Sequence, residues 1–141
     1  MRIAIYTLVF GVLVLGVPPL QSQTKQSGTV NKLMVEKLKN AKTLLEGIAV
    51  ADFNKITRSA EELIQLSKTA EWHVLKTPRY EMFSNEFRRA ADVIIQKAKV
   101  KNIDGVTLSY FEMVMSCVRC HQYVREVREA RLPTPLDVAR R

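Results

Sequence analysis

An all-α fold, an antiparallel four-helix bundle, is what this sequence predicts, on three observations. Only 5 Gly and 5 Pro stand among 141 residues, too little turn material for the many short strands of a sandwich or barrel. Apolar residues recur at alternating steps of three and four in successive windows, the spacing of one helix face. The windows are separated by short stretches carrying Asp, Asn, Thr, Gly and Pro, the residues that start and stop helices. At 47% hydrophobic and 26% charged the chain is globular, and its length suits one domain, which excludes a large multidomain enzyme. The formal charge of +8 attracts anionic partners without choosing among protein, lipid and nucleic acid. With 2 Cys and 2 His, neither a disulfide framework nor a dispersed four-ligand zinc site is available.

The first element is a targeting segment. Arg2 precedes an uncharged run of fifteen residues from Ile3 to Val17, followed by Pro18, Pro19 and a polar stretch from Gln21. This is the layout of a secretory signal peptide, residues 1–22 with cleavage near Ser22, and the run is shorter than the roughly 20 residues of a spanning helix. The alternative is an uncleaved anchor. Export to the periplasm sets nucleic acid aside as a partner and leaves no stable membrane insertion after cleavage. Residues 23–28 read as a polar linker, 29–132 as the bundle and 133–141 as a basic C-terminal tail.

Thr29 is the predicted cap of a first helix whose stripe is Met34, Leu38, Ala41, Leu45 and Ile48. Asp52 is the predicted cap of a second, with Phe53, Ile56, Ala60, Leu63, Ser67 and Ala70 on one face. The pattern breaks between Trp72 and Pro78. Thr77 and Pro78 then form a cap and first-turn pair for a third helix along Phe83, Phe87, Ala90, Ala91, Ile94 and Ala98. Asn102–Gly105 reads as a tight connector, and a fourth helix runs from about Thr107 to about Arg131, ended by Pro133. Short loops between such helices make neighbours antiparallel.

Chemistry is concentrated in the fourth helix. Cys117-Val118-Arg119-Cys120-His121 is C-x-x-C-H, the attachment motif of c-type haem, in which two thiols add to the haem vinyl groups and the imidazole ligates iron. On a helix, positions 117, 120, 121 and 124 share one face, so both thiols and His121 address one porphyrin with Val124 beside them. The competing reading is a C-x-x-C disulfide beside an unrelated histidine. Export agrees with the haem reading, and no strand-turn-helix unit surrounds the pair to support a thioredoxin-like one.

A C-x-x-C-H near the end of the last helix of an exported four-helix chain resembles the cytochrome c prime family. The resemblance extends over nearly all of the chain after the signal segment: Asp52-Phe53 opening helix two, Trp72 closing it, the Phe87 stretch, and Arg125 four residues after His121. It departs from the family where Tyr123 stands two residues after His121 and Val124 takes the third place, where an aromatic is common. The resemblance implies one covalent haem c and two alternatives for its use. In one, a methionine early in helix one supplies the sixth ligand and the protein carries electrons; Met34 stands at about that place. In the other, the iron is five-coordinate and binds nitric oxide or carbon monoxide.

A neutral thioether suits iron in both oxidation states and raises its potential, whereas a methionine at helical spacing is otherwise a core residue. His73 reads as a surface residue beside Trp72, and Met113 and Met115 share a helix with His121 and so cannot easily reach the opposite haem face. Arg125, one turn beyond His121, reads as a partner for a haem propionate or as a solvated residue. Glu61 and Glu62 diverge on their helix, and no nucleophile motif stands elsewhere, so the chain reads as no enzyme. The positive charge calls for acidic redox partner proteins, and the family resemblance implies pairing of the bundle with itself as a homodimer.

Overall fold

The structure, a computed structural model, describes residues 21–130. Four helices follow one another, α1 Gln21–Ala49, α2 Phe53–Leu66, α3 Pro78–Lys99 and α4 Ile103–Glu129, with a 3₁₀ turn Ala70–Trp72 after α2. Among the described residues there is no strand, and no helix is long and apolar enough to cross a membrane. The apolar run expected to be a signal peptide and the tail 133–141 lie outside the described residues.

Each of the last three long helices begins with a side-chain cap. The carboxylate of Asp52 accepts from the Lys55 N–H at 2.9 Å, the Thr77 hydroxyl from Tyr80 N–H at 3.2 Å, and the Asn102 amide oxygen from Gly105 N–H at 2.8 Å. Asp52 and Thr77 act as the sequence predicts. Asn102 corrects the prediction: it caps α4, so Ile103, Asp104 and Gly105 form the helix's first turn rather than a connector. Asn serves turns and caps alike, and the three-residue spacing to Gly105 is that of a cap.

The α1–α2 and α3–α4 corners are built alike. Ala51 (φ 53°) and Lys101 (φ 54°) are left-handed, and the next residue's N–H reaches back into the helix: Asp52 to Gly47 O at 2.9 Å, Asn102 to Lys97 O at 3.0 Å. At the first corner the chain passes close to itself. A Cβ on Gly47 would lie 2.9 Å from the Ile56 side chain and 3.2 Å from its backbone nitrogen.

The core runs through Leu33 and Leu44 of α1, Ile56, Ala60 and Leu63 of α2, Phe87, Ala91 and Ile94 of α3, and Val106 and Met113 of α4. All six apolar positions predicted for α3 are buried. On α1 the buried line sits one residue away from the predicted stripe, at Leu33, Lys37 and Leu44, while Leu38 is 55% and Leu45 49% exposed. Two lines of comparable spacing overlap in this sequence, and the lysine in the inward one conceals it. Residues 23–28 belong to α1, not to a linker, so Thr29 lies inside the helix rather than at its cap. Ala70 is exposed in the 3₁₀ turn, beyond the end of α2.

Candidate functional site

The C-x-x-C-H segment occupies the last third of α4, and helical geometry turns its two thiols inward. Cys117 and Cys120 are free thiols, half-buried, and pack with Tyr123 and Val124 against the core. His121 adjoins them and is exposed. The Tyr110 hydroxyl, two turns before Cys117 on the same side of α4, donates to Ala41 O of α1 at 3.3 Å. That bond identifies the side on which α4 meets α1, and Cys117 and His121 share it.

Met34 lies two turns before Ala41 on that flank of α1 and is half-buried against the core. Arg125 is exposed, one turn past His121. Met113 is core, Met115 and Met82 are about half exposed, and His73 is an exposed residue 3.8 Å from Glu81.

The other side of α4 is closed by polar clamps to α3. Arg119 lies 3.2 Å from Glu86 and Arg79 3.8 Å from Glu126, and the Tyr123 and Thr77 hydroxyls share a hydrogen bond of 2.8 Å. These pairs run in opposite directions along the two helices, which are therefore antiparallel. Tyr123 packs its ring 5.9 Å from that of Phe83, so it belongs to this clamp and leaves the inward place beside His121 to Val124. A cleft of about 640 Å³ lies along the same seam, between Glu86 and Arg89 of α3 and Leu108, Phe111 and Met115 of α4.

Electrostatics single out a residue that the sequence pattern missed. Lys37 is only 8% exposed, and its Nζ stands 4.4 Å from the Trp72 ring and 4.7 Å from that of Phe87. Two such contacts offer up to about 2 kcal/mol each, the same order as the several kcal/mol for taking an ammonium out of water, but neither brings a negative charge. The signal available in the sequence was its place between Leu33 and Leu44 on one helix line.

Burial pushes the Cys120 thiol up; Lys37 opposes that shift and Cys117 adds to it. Burial also pushes His121 down, and Lys37 and Arg125 push the same way, which keeps the imidazole neutral at pH 7 with a lone pair free for a metal. Tyr80 is pushed up to about 12 by burial and by Cys120. Its hydroxyl donates to Trp72 O.

Two thiols and an imidazole on one helix face are the donors that a c-type haem would ask of the protein. Among the described residues no three His, Cys, Asp or Glu side chains converge as a metal cage. A porphyrin supplies four nitrogens itself and asks of the protein two accessible thiols and an axial nitrogen on one helix face. Compared with protein-family models, curated proteins and solved structures, the chain matches none.

Proposed function

We propose that the chain is an exported, periplasmic c-type cytochrome of the cytochrome c prime kind, an electron carrier and not an enzyme. It holds one haem c through Cys117 and Cys120, with His121 as axial ligand. The observation that carries this reading is the C-x-x-C-H on the α1-facing side of the last helix, with both thiols free and half-buried beside a neutral imidazole. Attachment needs no oxidant: each S–H adds across one vinyl double bond, sulfur to one carbon and hydrogen to the other. Haem, when bound, supplies one-electron exchange between ferric and ferrous iron.

Within this reading Met34 provides the sixth ligand. It is a soft neutral donor on the flank of α1 that meets α4, and His121 must be answered from a different helix. Arg125 adds positive charge at the exposed end of the site and, with the net charge of +8, favours acidic redox partners. Self-pairing into a homodimer belongs to the same proposal.

The test is extraction with acidified acetone after expression in a host that matures c-type cytochromes. Colour should stay with the protein; haem that leaves it overturns thioether attachment. The visible spectrum then decides the ligand. A low-spin parent that Met34→Ala turns high-spin and reactive to carbon monoxide supports electron transfer. A parent already high-spin and binding carbon monoxide rapidly is a five-coordinate gas-binding protein instead.

A further inference from the structure

Among the described residues the Lys37 ammonium is a buried cation with no anion beside it. None of the ion pairs among the described residues includes it, and its surroundings are the rings of Trp72 and Phe87 rather than a carboxylate. It lies on the inward line of α1, one turn after Met34 and one turn before Ala41, whose carbonyl accepts from Tyr110 on the thiol side of α4. A buried charge of this kind is retained where a counter-charge arrives with a ligand; otherwise a leucine of similar size would serve the core better. The haem reading brings such a counter-charge, because the porphyrin carries two propionate carboxylates.

We propose that Lys37 is a cofactor-binding residue whose ammonium receives a haem propionate inside the bundle. This rests on the haem assignment above. The four-carbon stem allows the ammonium to turn from the aromatic pair to the carboxylate without moving α1. Arg125, exposed and on the opposite helix, is then left to solvent or to the second propionate at the rim. The residue thereby couples helix one to the cofactor independently of the axial bond.

Three proteins matured with haem, the parent, Lys37→Leu and Lys37→Arg, separate this role from others, with the parent's haem content measured first. A parent without covalent haem refutes the haem assignment itself and leaves no propionate for Lys37. With haem present, Lys37→Leu should melt several degrees lower than the parent and show a lower reduction potential, because a cation that balanced the porphyrin carboxylate is gone. Lys37→Arg should restore both, since guanidinium keeps the charge and does not ligate iron. In the chain produced without haem the sign should reverse, Lys37→Leu melting higher than the parent.

An unchanged or raised melting temperature and an unchanged potential in haem-loaded Lys37→Leu overturn the proposal and make Lys37 a packing residue. A change of spin state in Lys37→Leu that Lys37→Arg fails to restore also overturns it, because the amine would then be an axial ligand. If the haem-free chains do not melt cooperatively, the potential and its recovery by arginine decide alone.

Discussion

The two sides of α4 differ in what they are made of. Toward α3 the helix is clamped by Arg119–Glu86, Arg79–Glu126 and Tyr123–Thr77. Toward α1 it meets its neighbour over a short span, marked by the Tyr110–Ala41 hydrogen bond, and presents free thiols, a histidine and a nearby lysine held by aromatic rings rather than by a carboxylate. One side pairs its charged groups with opposite charges; the other keeps thiols, an imidazole and a lysine on aromatic rings. Stability and chemistry are thus separated around one helix, and the separation can be broken deliberately.

The largest expected effect is on the α1 side. Replacing Cys117 and Cys120 with Ala should abolish covalent haem entirely while leaving the helical signal in circular dichroism, because neither thiol belongs to the ion pairs or the hydrogen bond that clamp α4 to α3. Loss of helicity together with haem would show that the two sides are not separable. In the buried core of the bundle the reverse is expected. Met113, 1% exposed, should cost about 2–5 kcal/mol as Met113→Ala, read by urea unfolding, without removing either thiol or His121.

A pH scan probes the boundary between the sides, where Tyr80 of α3 faces Cys120. Its folded-state value of about 12 lies above the ordinary 10.0, so folding favours the neutral phenol. The stabilisation is complete below pH 10 and is lost as pH rises through about 12. Tyrosinate absorbance and helicity should therefore change together across that window, and in Tyr80→Phe the helicity loss should move to higher pH. Below pH 10 Tyr80→Phe should cost about 1 kcal/mol, the net worth of its bond to Trp72 O, a carbonyl that keeps the Val74 N–H as a second partner.

The fold was more legible in the sequence than the surroundings of the site. The stripes of α2 and α3 and the caps Asp52 and Thr77 are local signals, set by spacing within one helix. The phase of α1 was not, because Lys37 looks like a solvent residue until Trp72 and Phe87 are brought to it from two other elements. The C-x-x-C-H is equally local and needs no tertiary information. Tyr80 and Tyr110 reach the thiols only through packing, and no periodicity announces them.

Two nearly identical corners give the smallest and cleanest test. Ala51 lies two residues past α1 and Lys101 two past α3, both at φ near +53°, where a Cβ is penalised by about 1 kcal/mol or more and glycine is not. Glycine also adds freedom to the unfolded chain, which returns part of that gain. The net expectation for Ala51→Gly and for Lys101→Gly is a stabilisation of about 0.5 kcal/mol each, read as a rise in the urea midpoint at constant slope. The first corner has a sharper counterpart in Gly47→Ala, which should cost about 1–3 kcal/mol because its Cβ would press on Ile56. Neither corner carries a residue of the thiol–histidine face, although Lys101→Gly acts on the turn that launches α4. If the visible spectrum of the haem-loaded protein stays fixed while both glycine variants raise the midpoint, backbone stability and site chemistry are independent in this bundle. A spectrum that moves with Lys101→Gly alone would mean that the way α4 is launched also sets the geometry of its α1 side.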